Sequence, residues 1–306
     1  MKITEYIDEV RGLTAQARAE GRRVALVPTM GYLHEGHLSL VRAARESVSG
    51  VGAARESISG VGAEADNRVF VVMSIFVNPL QFGPQEDFEK YPRDLARDQL
   101  MAASAGVDLL FVPSVEEMYP SGPSLTLIQV AEVSEGLCGA ARPGHFTGVA
   151  TVVAKLLLIC QPDEAFFGQK DYQQLMVIRQ MAMDLCIPTR IVSVPILREK
   201  DGLAMSSRNV YLSPEYRLQA PVLYEALCRG ADAVLSGETD YDTICALVRD
   251  CIAGSAAQVE YVEIRDREDW KRPERLHQKV VILLAARLGE TRLIDNILVG
   301  DRGERI

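Results

Sequence analysis

Two of the chain's four histidines, His34 and His37, flank Gly36 within PTMGYLHEGHLSLV at residues 28–41. The stretch reads as the end of a buried strand, a turn containing Gly31 and the start of a helix. Imidazoles three positions apart lie on one helix face. At the helix N-terminus they stand beside unpaired backbone N–H groups and the positive end of the macrodipole. Such a place suits the negative charge of a triphosphate, and Gly36, without a side chain, lets a nucleotide approach the backbone. Paired histidines are more often a surface or capping feature. Half of the chain's histidines falling in one strand–turn–helix setting reverses that preference.

Three further segments carry usable chemistry. In SIFVNPLQFGPQEDFEKYPRD, residues 74–94, a strand runs into Asn78, Pro79 and Gln81. Neutral amides there can hydrogen-bond a hydroxyl and a carboxylate together, although Asn-Pro alone would make an ordinary turn. In FFGQKDYQQL, residues 166–175, a strand ends at Gly168 and presents Lys170, Asp171 and Gln174 at the next helix start. Lys170 suits a β- or γ-phosphate as a point charge, and Asp171 suits Mg²⁺ or a nucleotide contact. A solvated charge pair fits that segment equally well. In GLAMSSRNVYLS, residues 202–213, Ser206, Ser207 and Arg208 lie in a loop able to close over phosphates. A plain interdomain loop is the alternative.

These residues need elements to position them. Apolar, β-branched runs at 23–28, 69–77, 107–113, 164–167 and 190–195 read as buried strands. Helical spacing over 149–160 and 172–185 sets helices between strands. The expected fold is therefore α/β, a Rossmann-like, doubly wound parallel sheet with ligands at the carboxyl ends of its strands. Beyond about residue 195 come a polar loop, helices over 221–236 and 241–253, and strands over 259–264 and 279–285. This divides the chain into a nucleotide- and substrate-binding domain over 1–195 and a smaller C-terminal α+β lid domain over 196–306. The first domain is interrupted by AARESVSGVG at 43–52 followed by AARESISGVG at 53–62, copies differing only at Val48 and Ile58. Two copies make no solenoid, and their Ser-Gly-Val-Gly endings are poor helix material. Residues 43–62 read as a duplicated surface insertion, with 43–49 able to lengthen the preceding helix.

Composition bounds the function. A chain of 306 residues, 48% hydrophobic and 25% charged, is a folded soluble protein with room for two cores. Forty-two acidic against 33 basic side chains give a net charge of -9, which repels nucleic acid and anionic membranes and leaves small ligands as partners. Six scattered cysteines without a C-x-x-C pair point to reduced, buried thiols, with neither a disulfide framework nor a zinc knuckle, and no metal-ligating residues are assigned. Acidic residues near the N-terminus and Lys155 within the most apolar stretch argue against a signal peptide or spanning helix, and for a cytoplasmic location.

In this order HEGH, FVNPLQF, RPGHFTGVATVV at 142–153, FGQKDYQQL, DGLAMSSRN and the terminal TRLIDN at 291–296 resemble the pantothenate synthetase family. Its members are ATP-dependent ligases of pantoate and β-alanine, and the HxGH form is the signature of the nucleotidylyltransferase and class I synthetase superfamily. The resemblance spans nearly the whole chain, and only the duplication departs from it. It implies an ATP site made by Met30, Gly31, Tyr32, Leu33, His34, Glu35, Gly36 and His37 together with Gly168, Gln169, Lys170 and Asp171. Leu197, Met205, Ser206, Ser207 and Arg208 would complete that site from the interdomain side, on a loop similar to the mobile KMSKS-type loop. Gln81 and Gln174 match pantoate-binding glutamines. Asn78 stands near Gln81, where β-alanine must also come, and His145, Val149, Val152 and Val153 match the wall against the gem-dimethyl group. His37, at the position usually assigned as proton donor, joins His34, Lys170 and Arg208 as the catalytic set. The resemblance further implies ATP and Mg²⁺ as cosubstrate and metal, and a homodimer built on the N-terminal domains.

The implied chemistry is attack of the pantoate carboxylate on the α-phosphorus of ATP, then displacement of AMP from the acyl carbon by the β-alanine amine. Pyrophosphate is already a good leaving group, so stabilising developing charge suits His37 better than full proton transfer. A nucleotidylyltransferase shares HxGH, but a phosphate acceptor calls for further Arg or Lys, whereas the pocket segments are rich in amides and valines. A catalytically silent nucleotide-binding module is the other alternative, opposed by the intact His34, His37, Lys170 and Arg208.

Overall fold

Seven-residue apolar strands set the frame from which the motifs emerge. The computed structural model describes residues 1–47, 68–83, 88–89, 91–122, 124–277 and 279–300. Among them β1 (Lys2–Thr4), β2 (Arg23–Thr29), β3 (Val69–Ile75), β4 (Leu109–Phe111), β5 (Glu164–Gly168) and β6 (Arg190–Val194) form a wholly parallel sheet. Its order is β1-β4-β3-β2-β5-β6. The helices of this part are α1 (Ile7–Ala19), α2 (Glu35–Glu46), α3 (Leu95–Ser104), α4 (Val115–Met118), α5 (Leu137–Ala141), α6 (His145–Cys160) and α7 (Tyr172–Asp184).

The strand order reverses between β2 and β5, which is where a doubly wound sheet opens a crevice for ligands. Pairing of β2 with β3 stays in phase from Arg23 opposite Val69 to Thr29 opposite Ile75. Both strands therefore end level, and the histidine turn and the Asn78 corner leave the same edge. Ala25, Val27, Val71, Met73 and Phe166 of the sheet pack with Leu33, Leu40, Val41 and Ala44. Burying each of the larger of these side chains contributes roughly 1.5–3 kcal/mol, which is what anchors the start of α2 against the sheet.

By internal contacts the chain falls into two units, Met1–Gly168 with Gln173–Val194, and Gln169–Tyr172 with Pro195–Ile306. The tetrapeptide Gln169–Tyr172, inside the N-terminal domain expected from sequence, groups with the second unit. In that unit β7 (Gln258–Asp266), β8 (Val280–Leu288) and β9 (Thr291–Leu298) form an antiparallel sheet. It packs against α9 (Val222–Leu235) and α10 (Tyr241–Ile252) through Leu223, Leu227, Ile244, Val248, Ile282 and Leu284. The short α8 (Pro214–Gln219) precedes them.

Several details differ from the sequence reading. β1, β9, α1, α8 and the short α3, α4 and α5 are not among the elements expected from sequence, and the run at 107–113 pairs only over Leu109–Phe111. The adjacent polar residues Asp295 and Asn296 interrupt the apolar run and hid β9, although both are buried. The duplicated stretch is not wholly surface: Ala43–Glu46 form the last turn of α2, with Ala44 fully buried. Residues 48–62, the rest of the duplication, lie outside the described residues. All six cysteines are free, but only Cys160 and Cys245 are buried and Cys186 is exposed. No helix among the described residues is long and apolar enough to cross a membrane.

Candidate active site

A buried carboxylate underlies the turn after β2. Gly31 at φ 82° and Tyr32 at φ 49° take the left-handed conformation. Asp98, buried on α3, accepts the N–H groups of Tyr32 and Leu33, each at 2.7 Å. A Cβ on Gly31 would meet Ile75 Cγ2 at 2.9 Å and Asp98 Oδ2 at 3.0 Å, so both the space and the φ favour glycine. His34 then caps α2. Its Nδ1 accepts the Gly36 N–H at 3.1 Å, and His37 Nδ1 accepts the His34 N–H at 3.3 Å. The result is a capping box made of two imidazoles, their rings 4.1 Å apart. With both Nδ1 atoms accepting, each neutral ring carries its proton on Nε2. Two N–H donors therefore stand at the positive end of α2.

One expectation fails here. The N–H groups of Gly31, Tyr32, Leu33, His34, Gly36 and His37 are all bonded within the protein. The turn thus offers an anion imidazole protons and a dipole, not the row of unpaired backbone N–H groups that the sequence predicts. Leu33 sends its side chain into the core. Tyr32 lies beneath the Arg97 guanidinium at 5.2 Å, and the exposed Glu35 pairs with Arg42 at 3.2 Å.

The Asn78 corner is equally well tied. Asn78 Nδ2 donates to Gly148 O at 3.0 Å and Gln81 Oε1 at 3.4 Å, while Oδ1 accepts from the Leu80 N–H at 3.3 Å and the Tyr119 hydroxyl at 2.9 Å. Every hydrogen-bonding position of this buried amide is taken, so Asn78 shapes the corner rather than reaching out of it. Burial pushes the Tyr119 hydroxyl up to about 12, which keeps it a donor. Gln81 Nε2 donates to Met30 Sδ at 2.9 Å, linking the corner to the histidine turn. His145, at the start of α6, donates from Nδ1 to Gln81 O at 2.8 Å, and its Nε2 receives Arg142 Nη1 at 3.0 Å. It therefore acts on the backbone of Gln81. Val149, Val152 and Val153 follow on α6, spaced to share a face and all buried. Gln174 is half-buried on α7 beside Gln173, whose amide clamps the carbonyls of Val133 and Glu135 and the Cys138 N–H.

In the second unit Gln169 is buried, Lys170 half-buried and Asp171 exposed, directly after Gly168 ends β5. Asn296 Nδ2 donates to the carbonyls of Gln169 and Lys170. The loop from Leu197 is a small hairpin, closed by the Met205 N–H to Leu197 O at 3.0 Å, after which Ser206 Oγ caps the turn Ser207–Tyr211 by accepting the Arg208 N–H at 3.3 Å. Ser206, Ser207 and Arg208 are half-buried. Burial pushes the Asp295 carboxyl up, opposed by its pair with Arg198 and by the Lys170 charge.

Sequence reasoning missed Asp98, Tyr119, Arg142, Gln173, Arg198, Asp295 and Asn296. A signal existed for Asp98, which shares a helix face with buried Ala102 and so places a charge on an apolar stripe. For the rest, at least one defining partner lies far off in sequence.

Comparison with known proteins adds an independent line. A profile described as pantoate-beta-alanine ligase matches residues 2–53 and 58–298, the gap falling within the second copy of the duplication. Pantothenate synthetase from Desulfitobacterium hafniense is 52% identical over 297 residues, 97% of this chain and 98% of that protein. The Moorella thermoacetica pantothenate synthetase is 49% identical over 300 residues, covering 98% and 99%. Among solved structures, pantothenate synthetase from Thermus thermophilus superposes with a TM-score of 0.85 at 44% identity, over 98% of this chain and 100% of that one. A pantoate-beta-alanine ligase from Francisella tularensis, solved with β,γ-ATP and β-alanine, gives 0.74 at 34%, over 97% of each.

Proposed function

The chain belongs to the pantoate-beta-alanine ligase family, and we propose that it joins pantoate to β-alanine with cleavage of ATP to AMP and pyrophosphate, through a pantoyl adenylate. The observation that carries the assignment of roles is the imidazole capping box, which fixes two Nε2 protons at the N-terminus of α2 and ties, through Met30 and Gln81, to a corner of neutral amides. That pairing of an anion site with a corner whose own hydrogen-bonding groups are neutral amides supports a carboxylate substrate over a phosphate acceptor. Of the cations near these amides, Arg142 is engaged by His145 and the Gln81 carbonyl, and Lys155 lies over the Tyr119 ring at 5.1 Å.

In the first step a pantoate carboxylate oxygen bonds to the α-phosphorus as the bond to the bridging oxygen of pyrophosphate breaks. His34 and His37 donate from Nε2 to the phosphate oxygens as their charge grows, and Lys170 and Arg208 supply the cations. Groups of this kind are each worth a few kcal/mol of barrier. Gln81 and Gln174 hold pantoate by its hydroxyls and carboxylate, with the α6 valines against its methyl groups. In the second step the neutral β-alanine amine attacks the acyl carbon, AMP leaves and the amine loses a proton, so no protein nucleophile is needed. Mg²⁺ enters as part of MgATP. Asp171 is an exposed carboxylate, and no cluster of three or more metal-ligating side chains occurs among the described residues. That suits a hydrated ion held mainly by phosphates, with one carboxylate in support. A cytoplasmic location and a homodimer built on the first unit complete the proposal, the latter read out by sedimentation.

The test is pyrophosphate release. It should require ATP, Mg²⁺ and pantoate, with AMP and pantothenate accumulating only when β-alanine is added. Turnover with a phosphate-bearing acceptor and none with pantoate would overturn the reading.

A further inference from the structure

Asp295 and Asn296, adjacent on β9 and both buried, serve no step described so far. Asn296 Nδ2 donates to Gln169 O at 3.1 Å and Lys170 O at 3.0 Å, gripping the backbone from which Lys170 projects. The Asn296 N–H donates to Asp295 Oδ1 at 2.8 Å, and Asp295 holds Arg198 by two bonds, at 2.7 and 2.9 Å. Arg198 also donates to Asn296 O at 3.2 Å and Gly202 O at 3.1 Å, with its guanidinium 3.7 Å from the centre of the Tyr224 ring. The bridge between Arg198 and Ala204 then starts the short run into Ser206, Ser207 and Arg208. Asn209 braces the far side of that run by donating to Ala204 O at 3.2 Å and Glu199 Oε1 at 2.9 Å.

A residue kept only to fill space beneath Lys170 would be apolar. Asn296 Oδ1 is buried and finds no hydrogen-bond partner among the described residues, and an unsatisfied acceptor is destabilising. Its orientation is nonetheless fixed, because the two carbonyls it faces require the donor end of the amide. What the position supplies is therefore two donors to one segment of backbone.

We infer that Asp295 and Asn296 are positioning residues for ATP, a buried relay that sets the backbone under Lys170 and, through Arg198, the loop bearing Arg208. This rests on the assignment of Lys170 and Arg208 to phosphates. The network lies wholly within the second unit, so it holds the two cation-bearing segments of that unit in one arrangement. Loss of a donor at Asn296 moves Lys170 without touching the residues assigned to pantoate.

The experiment measures pyrophosphate release with ATP varied at saturating pantoate, and then the reverse, in the wild type, Lys170→Ala, Asn296→Leu and the double variant. Asn296→Leu is expected to raise the ATP KM about tenfold or more, as small misplacements do, with the pantoate KM held within about twofold. The double variant should be little worse than Lys170→Ala, since a residue acting through Lys170 has nothing left to position. Arg198→Lys keeps the charge but loses the two-point geometry, and should shift the ATP KM in the same direction. An unchanged ATP KM in folded Asn296→Leu overturns the inference, as do equal rises in both KM values or additive losses in the double variant. If Asn296→Leu does not fold, Arg198→Lys decides by the same split. Lys170→Ala with wild-type kinetics would instead remove the underlying phosphate assignment, whatever the Asn296 variants show.

Discussion

Asp98 brings a charge into the interior of the first unit to hold two backbone N–H groups of a left-handed turn. Asp98→Ala leaves the buried Leu33 N–H and the half-buried Tyr32 N–H unpaired, which should cost roughly 1–4 kcal/mol of stability in urea unfolding. Turnover should fall with it, because His34 begins where that turn ends. A loss within about 0.5 kcal/mol would show that water or a shifted backbone replaces the carboxylate. His37→Ala, by contrast, removes one donor from the α2 terminus and should lower turnover by roughly 10²-fold at most modest cost to folding. Near-normal single-turnover pyrophosphate release in that variant would take His37 out of the phosphate role. The histidine pair was legible because its geometry is local, fixed by helical spacing. Asp98, Tyr119 and Asn296 were not, because each acts on backbone or side chains brought near only by the fold.

Two helices of the first unit position site residues, and both depend on close contacts. α6 meets the Asn78 corner at Gly148, where an added Cβ would fall 2.3 Å from Leu80 O and 2.6 Å from the Gln81 N. Gly148→Ala must push the corner away from the helix, breaking the bond from Asn78 to Gly148 O. The expected result is a loss of about 1–3 kcal/mol with a raised pantoate KM and a nearly unchanged ATP KM. An unchanged pantoate KM would separate the corner from substrate. α2 is the second case. Sequence alone makes 43–62 a duplicated surface insertion, yet Arg45 pairs with Asp108 at 2.7 Å and donates to Val69 O at 2.6 Å. Deleting a single copy, residues 53–62, should leave activity and thermal midpoint unchanged, since a shorter connection alters loop-closure entropy by only about 0.6 kcal/mol per halving. Deleting 43–62 also removes Ala44 and Arg45, and should lower stability by about 1–3 kcal/mol. Equal stability for the two deletions would show the Arg45 contacts to be incidental.

At the scale of the molecule, the parallel sheet was legible from five apolar runs separated by helix-length segments, and its order places the β2 and β5 ends at the reversal. In the second unit two helices and two of the three strands were legible, α9, α10, β7 and β8, whereas β9 was not. Its third strand carries Asp295 and Asn296, whose polarity reads as surface until their partners are seen, and Asn296 bonds the carbonyls of Gln169 and Lys170 in the tetrapeptide that groups with this unit. The central claim is that the pantoate carboxylate attacks the α-phosphorus of ATP. Pantoate carrying ¹⁸O in its carboxylate, turned over with ATP, Mg²⁺ and β-alanine, tests this by mass spectrometry of the products. The expected result is one labelled oxygen transferred to the phosphate of AMP, with pyrophosphate unlabelled. Label in inorganic phosphate alongside ADP, with AMP absent or unlabelled, would contradict it.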